Sequence, residues 1–184
     1  MSRLDSFIRR MQAQRDFLNA VAPTVRTRPG PILEIGLGNG RTYDHLRTLF
    51  PDREIFVFDR AVVAHPSCIP PPDHLLLGDA RETLLLARGR LRGRAVLVHC
   101  DLGTGDQAAN DANAAWLAPA IAALLAPGGR VIVNQALSVP GWTRLAEPPG
   151  VPAGRYFGYV AAPAMPAPRS AAPASATGAV PIAG

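Results

Sequence analysis

Short apolar runs alternate with longer amphipathic stretches along most of this chain. Strands and helices that alternate in this way are typical of a mostly parallel sheet with helices on both faces. The first apolar run ends at Glu34 and predicts a strand. Four later runs predict further strands: Glu54–Asp59, His74–Ala80, Ala95–Asp101 and Arg130–Asn134. The hydrophobic pattern therefore predicts an α/β fold of the Rossmann-like, doubly wound type.

The polar and apolar spacing between these runs predicts the helices. Ser2–Val21 has the periodicity of an amphipathic helix with an arginine-rich outer face. We expect it to cover the sheet, and a second role as a lid over the ligand is the alternative. Arg41–Phe50 follows the first strand as a helix, and Gln107–Ala126 predicts another that Pro119 breaks or kinks. The arginines between Arg81 and Arg94 lie where a helix ends, next to glycines.

The pattern changes after the fifth predicted strand. Residues 135–154 are rich in proline and glycine, and only Arg155–Ala162 predicts a further strand. Alanine, proline and serine dominate Pro163–Gly184, which predicts a flexible tail. We therefore expect one domain over residues 1–162, with a shortened C-terminal part, and a tail over residues 163–184.

Three glycines follow the first strand at alternate positions: Gly36, Gly38 and Gly40. Such a turn lets the backbone approach a ligand closely, and the next helix then points its N-terminus at that ligand. The dinucleotide fingerprint requires a glycine where this chain has Arg41, and Glu34 would repel a pyrophosphate. The sulfonium and ammonium groups of S-adenosylmethionine suit an acidic neighbour, so the loop favours that ligand over a dinucleotide.

Acidic residues lie at or near the ends of four predicted strands: Glu34, Asp59, Asp79 and Asp101. Ligands of open α/β sheets bind outside the carboxyl ends of the strands, so these acids should converge. Each has a simpler alternative. The glycines could form only a tight turn, Asp59 and Asp79 could cap the helices that follow them, and Asp101 could shape its loop or contact substrate.

Residues 31–134 resemble the class I S-adenosylmethionine-dependent methyltransferases. The resemblance rests on Glu-x-Gly-x-Gly-x-Gly at Glu34–Gly40, the acid Asp59, Gly-Asp-Ala at residues 78–80, Asp101, and Pro-Gly-Gly at residues 127–129. Residues 38–47 are also similar to a small bacterial group of these enzymes, for which the resemblance defines no substrate.

The resemblance implies S-adenosyl-L-methionine as cofactor and a role for each matching residue. Glu34 and the loop would face the methionyl part, Asp59 would hold the ribose diol with Arg60 beside the adenine, and Thr42 would cap the helix or touch the cofactor carboxylate. Asp79 and the Ala80 amide would bind the adenine, while Asp101 and Leu102 would lie near the transferred methyl group. The full predicted set is Glu34, Gly36, Leu37, Gly38, Asn39, Gly40, Thr42, Asp59, Arg60, Asp79, Ala80, Asp101 and Leu102.

Neither a catalytic residue nor a metal site follows from the sequence. The pattern buries His99 in a strand, which predicts a core histidine, and His45 and Tyr43 are weak candidates for a base. Catechol-type relatives hold magnesium with an Asp-Asn pair after the fifth strand, where this chain has Asn134 and Gln135, so we expect no catalytic metal. A small acceptor would then be methylated by proximity and orientation. The alternatives are a cofactor-binding protein without turnover and a nicotinamide-dependent oxidoreductase.

Composition adds information on the setting. The net charge of +5 comes from arginine alone, which together with abundant alanine and proline indicates a GC-rich bacterial source. No aromatic residues interleave with the arginines between Arg81 and Arg94, and the Asn/Asp-Pro-Pro-Tyr/Phe motif of nucleic-acid amino methylases is missing, so we expect no nucleic-acid partner. Two cysteines without a metal-type spacing, and the lack of a leader or a long apolar run, predict a soluble cytoplasmic protein. The substrate pocket could also be shared within a homo-oligomer.

Overall fold

The computed structural model describes residues 2–103 and 106–163, without the side chain of Gln107. Within these residues, seven strands form one sheet in the order β3-β2-β1-β4-β5-β7-β6. The strands are β1 (Ile32–Ile35), β2 (Ile55–Asp59), β3 (Leu75–Leu77), β4 (Ala95–Cys100), β5 (Leu125–Val133), β6 (Thr143–Arg144) and β7 (Phe157–Val160). The α-helices are α1 (Arg3–Arg26), α2 (Arg41–Leu49), α3 (Ala80–Leu91) and α4 (Gln107–Leu124), and two short 3-10 helices span Pro66–Cys68 and Pro72–His74.

The five N-terminal strands are parallel, and β7 is antiparallel to both of its neighbours, β5 and β6. Strand β1 lies between β2 and β4, so the chain changes direction across the sheet at β1. Helices α1 and α2 pack on one face and α3 and α4 on the other. Because β1 and β4 are covered on both faces, all of their residues are buried. This arrangement confirms the predicted fold class.

Helix α1 is longer than predicted. It begins after Ser2, whose hydroxyl accepts a hydrogen bond from the Asp5 amide while the Asp5 carboxylate accepts from the Ser2 amide. It continues past the predicted end at Val21 to Arg26, with Pro23 inside it. Val25 is fully buried against the sheet, so packing of the last turn outweighs the hydrogen bond that proline cannot donate. Similarly, Pro119 does not end α4.

The C-terminal part differs from the prediction of a single strand. Thr143 and Arg144 form β6, which pairs with β7, and the Leu145 amide extends this pairing by donating to the Gly158 carbonyl. Both residues of β6 are exposed, so no apolar alternation marks the strand in the sequence. No helix lies between β5 and β6 in the described chain, which agrees with the predicted shortening. The predicted tail lies outside the described residues, except for Pro163.

Across residues 2–103 and 106–163, no helix has the length and hydropathy needed to cross a membrane.

Candidate functional site

The loop between β1 and α2 has the backbone conformation that its glycines predict. Gly36, Gly38 and Gly40 have φ values of 96°, 50° and 80°, in the region that favours glycine. Gly40 stands at the N-cap of α2, where a Cβ atom would lie 2.5 Å from the Cβ of Cys68. The loop therefore depends on glycine both for its torsion angles and for its close contact with the segment after β2.

Replacing Gly40 with alanine should lower the free energy of unfolding by about 1–3 kcal/mol, because the positive φ and the close contact with Cys68 both oppose a Cβ atom. Gly89 is a matched control, since it lies in α3 with open space where a Cβ atom would stand. Gly89→Ala should stabilise the protein by about 0.5–1 kcal/mol. Urea unfolding of both variants measures the difference, and equal effects would show that the loop tolerates a side chain.

An open cleft runs along the carboxyl ends of the strands. One half, with a volume of about 310 Å³, lies between the glycine loop and α1. The other half, of about 470 Å³, lies between β2, the start of α3 and α4. Both halves are lined by Asp59, Asp101, Leu102 and Gly103, so they adjoin at these residues. The predicted acids Asp59, Asp79 and Asp101 thus lie along a single cleft.

Asp59 holds the glycine loop and the chain after β2. Its Oδ2 accepts a hydrogen bond from the Gly38 amide at 3.0 Å, and its Oδ1 accepts from the Ala61 amide at 3.2 Å. The alternative that Asp59 caps a helix is wrong, because the residues directly after it form bends and no helix. The carboxylate is instead fixed at the junction of the two halves of the cleft.

Asp79 caps α3, as the simpler alternative predicts. Its Oδ1 accepts from the Arg81 amide at 2.9 Å, and its Oδ2 forms an ion pair with Arg60 at 2.8 Å. The Arg81 amide and the Arg60 guanidinium lower the pKa of Asp79. Asp79 and Ala80, the first residue of α3, both line the second half of the cleft, so the capping role leaves Asp79 at the site.

Trp116 is a residue of the site that the sequence did not reveal. It projects from α4 into the second half of the cleft, where its Nε1 donates to Asn113 Oδ1 at 3.2 Å and the Arg81 guanidinium lies 5.1 Å from its ring centre. The sequence feature that could have indicated it is a single aromatic residue in an otherwise alanine-rich helix. Its indole can offer an apolar surface to a planar ring.

Glu34, which the sequence predicts to face the methionyl part of the cofactor, is not among the described residues that line the cleft. Only 1% of the residue is exposed, and its Oε2 lies 2.7 Å from Nδ1 of His99 on β4. Glu34 is the third residue of β1, and its side chain points to the face covered by α1. Burial raises the pKa of Glu34, and the adjacent His99 opposes this shift.

His99 is buried, as predicted, within a polar cluster formed with Glu34, Gln14 and Tyr156. His99 Nε2 lies 2.8 Å from both the Gln14 amide nitrogen and the Tyr156 hydroxyl. The Gln14 amide also donates to the Tyr156 hydroxyl at 3.2 Å. Since Gln14 lines the first half of the cleft, the cluster connects the wall of the site to the interior of the sheet.

Asp101 and Leu102 lie at the centre of the cleft. Asp101 Oδ1 is buried without a hydrogen-bond partner among the described residues, and the nearest cation is Arg10 Nη1 at 3.9 Å. A buried carboxylate oxygen without a donor favours a ligand that carries a donor or a positive charge. Arg10 belongs to α1, which also contributes Phe7, Met11 and Gln14 to the wall of the cleft.

The remaining predicted residues fall into two groups. Leu37, Asn39 and Thr42 line the first half of the cleft with the loop glycines Gly36 and Gly38, and Thr42 is in the first turn of α2. Gly40 does not line the cleft but packs against Cys68. Arg60 lies at the exposed rim of the second half of the cleft. Except for Glu34 and Gly40, all of the predicted residues border the cleft.

A larger cavity, of about 690 Å³, lies at the opposite ends of the strands. It is lined by residues that precede β1, β2 and β4, and its arginines Arg26 and Arg53 donate to backbone carbonyls. These guanidinium groups therefore stabilise the backbone segments that lead into the strands. Since the glycine loop lies at the carboxyl ends of the strands, the cleft there is the stronger candidate for the ligand site.

Comparison with known proteins identifies the family. A family model described as S-adenosyl-L-methionine methyltransferase matches residues 1–161. The crystal structure of an S-adenosyl-L-methionine methyltransferase from Silicibacter pomeroyi DSS-3 is similar, with 44% identity over 87% of this chain and 98% of that chain and a TM-score of 0.83. A Staphylococcus aureus protein provisionally named a caffeoyl-CoA O-methyltransferase shares the fold alone, at 14% identity over 78% of this chain and 81% of that chain, with a TM-score of 0.52. No curated protein matches.

The chain therefore belongs to the S-adenosyl-L-methionine methyltransferase family. It is an enzyme of the methyltransferase class with S-adenosyl-L-methionine as its cofactor, which confirms the family and the cofactor that the sequence predicts.

Proposed function

We propose that the cleft binds S-adenosyl-L-methionine across the carboxyl ends of β1, β2 and β4 and presents its methyl group to a small acceptor. The methionyl part occupies the half between the glycine loop and α1, and the adenosine occupies the half beside α3 and α4. The observation that carries this proposal is the meeting of the two halves at Asp59 and Asp101, which places carboxylates along the middle of the cleft.

The chemistry of the lining fits the cofactor. The buried Oδ1 of Asp101 has no donor within the described chain, so it can accept from the ammonium group of the methionyl part. In this proposal Asp59, which lies at the junction, accepts from the ribose diol, and Asp79 binds the adenine together with the Ala80 amide; the position of all three along the cleft supports these roles. Trp116 adds an apolar surface for that ring. In this proposal Glu34 acts from beneath the cleft, through its contact with His99, rather than by touching the cofactor.

When bound, S-adenosylmethionine supplies a methyl group that is already activated by the sulfonium. The residues of this chain then need only bind, orient and exclude water. Helix α1 closes one side of the cleft with Phe7 and Met11, whose apolar side chains keep water from the methionyl half. Gly38 and Leu102 line the same half from the glycine loop and from the segment after β4.

Calorimetry with S-adenosylhomocysteine tests the cofactor site and separates it from a dinucleotide site. We expect micromolar binding of S-adenosylhomocysteine and no binding of NADH at the same concentrations, because carboxylates line the middle of the cleft and oppose a pyrophosphate. Micromolar binding of NADH with no heat from S-adenosylhomocysteine would instead establish the oxidoreductase alternative. Radiolabelled cofactor and cell extract then test turnover: binding without a labelled product would favour a protein that binds the cofactor without methyl transfer.

We further infer that the enzyme acts in the cytoplasm of a bacterium on a small molecule, and that residues 1–162 are one domain. An arginine-only basic composition and two cysteines that are both free support this setting.

A further inference from the structure

A second cavity, of about 220 Å³, lies between α1 and α2. Its lining comes from one face of each helix: Met11, Gln14, Arg15, Leu18, Arg41, Thr42 and His45. This space is smaller than either half of the cleft. None of the roles predicted for the cofactor site involves Arg15, Leu18 or His45. We call it the α1–α2 pocket.

The α1–α2 pocket adjoins the methionyl half of the cleft. Both spaces are lined by Met11, Gln14, Arg41 and Thr42, so they meet at these four residues. A molecule in the pocket would therefore lie next to the methionyl part of a bound cofactor. This is a suitable position for a second reactant, because methyl transfer requires both reactants in adjoining spaces.

The lining of the pocket is basic and apolar. Among the described residues that line it, Arg15 and Arg41 are the two with cationic side chains, and none carries a carboxylate. Arg15 also pairs with Asp16 at 2.9 Å, whereas the Arg41 guanidinium bonds to the neutral Asn39 side chain at 3.1 Å. Arg41 therefore keeps a positive charge that no carboxylate within the described chain neutralises. Met11 and Leu18 provide an apolar surface beside it.

His45 adds an acceptor to the lining. Its Nε2 lies 2.9 Å from Asn19 Oδ1, an acceptor, so Nε2 carries the proton and the lone pair is on Nδ1. Burial and the nearby charge of Arg15 on α1 lower the pKa of His45, and Asp44 on α2 only partly opposes them. The imidazole is therefore neutral near pH 7.

We propose that the α1–α2 pocket binds the methyl acceptor, and that this acceptor is a small organic anion with an apolar body. The Arg41 guanidinium binds its carboxylate or phosphate group, and Met11 and Leu18 contact its apolar part. This inference deepens the proposed function and rests on it, since the neighbouring cleft must hold the cofactor.

The test uses benzoate as the probe, with benzylamine and benzamide as cationic and neutral analogues of similar shape. The protein is first saturated with S-adenosylhomocysteine, and each probe is titrated while the imidazole signal of His45 is followed by NMR. We expect benzoate alone to bind in the millimolar range or tighter and to raise the pKa of His45, because a nearby anion stabilises the imidazolium. Benzylamine should leave this pKa unchanged or lower it.

Two variants that each remove one positive charge locate the binding. Arg41→Gln should raise the dissociation constant of benzoate about tenfold, the effect of losing one charge-assisted hydrogen bond. Arg9→Gln, a change at an exposed arginine of α1 that does not line the pocket, should leave it unchanged. If the two variants raised the dissociation constant of benzoate equally, binding would depend only on the overall positive charge of the protein, and the proposal would be overturned.

Two further outcomes also overturn it. Benzoate that competes with S-adenosylhomocysteine would show that Arg41 serves the cofactor carboxylate, and equal binding of benzylamine would exclude selectivity for anions. Failure of S-adenosylhomocysteine itself to bind would contradict the proposed function instead. The same titration on the protein alone would then still decide whether the pocket takes an anion.

Discussion

Replacing Asp59 with alanine is expected to weaken the binding of S-adenosylhomocysteine about a hundredfold. The carboxylate can accept two hydrogen bonds from the ribose diol, and hydrogen bonds to a charged group contribute about 1.5–3 kcal/mol each. Two bonds at the lower figure give about 3 kcal/mol, which corresponds to roughly a hundredfold change in the dissociation constant. The substitution also removes the acceptor that fixes the Gly38 amide in the loop. Calorimetry on the purified variant measures the change.

Two variants separate the local effect from the loss of a negative charge. Asp59→Asn keeps one acceptor oxygen, so its affinity for S-adenosylhomocysteine should lie between those of the wild type and Asp59→Ala. Asp52→Ala removes an exposed carboxylate at the opposite end of β2 and should leave the affinity within about twofold, because exposed and distant charges are screened. An Asp59→Ala protein that binds with wild-type affinity and remains folded would show that the ribose is held elsewhere.

The sequence predicts this site well where local geometry determines it. The turn from β1 into α2 requires positive φ values, and only glycines at Gly36, Gly38 and Gly40 satisfy them without strain. The acids Asp59 and Asp101 come at or just after the ends of buried strands, and parallel strands bring their carboxyl ends to one edge. Both features depend on residues close together in the chain, so a single sequence reveals them.

Contacts between distant segments are what the sequence could not reveal. Glu34 also comes at a strand end, but the pleat turns its side chain beneath the cleft, and its partner His99 is 65 positions away. Gln14 and Tyr156 come from still other elements, α1 and the segment before β7. In the same way, the exposed residues of β6 form a strand only because β7 is available to pair with them. These contacts and this strand depend on segments that meet only in the folded protein, so the hydrophobic pattern of the sequence could not predict them.

The polar cluster around His99 is built on its contact with Glu34. His99 Nδ1 lies 2.7 Å from Glu34 Oε2. Burial alone would lower the pKa of His99, but the adjacent Glu34 carboxylate raises it. Glu34 and His99 come from the neighbouring strands β1 and β4, while Gln14 comes from α1, so the cluster fixes the wall of the cleft against the sheet.

Replacing His99 with leucine should therefore lower the free energy of unfolding by about 3–5 kcal/mol, because it leaves the Glu34 carboxylate buried without its partner. The double variant Glu34→Leu with His99→Leu removes both polar groups and should recover at least about 1 kcal/mol relative to His99→Leu alone. His65→Leu, at an exposed histidine whose imidazole accepts from the Ser67 amide, should cost only about 1 kcal/mol, the usual effect of losing a cap. Urea unfolding followed by the fluorescence of Trp116 and Trp142 measures all three. A double variant that is no more stable than His99→Leu alone would show that the instability does not come from a buried Glu34 carboxylate without its partner.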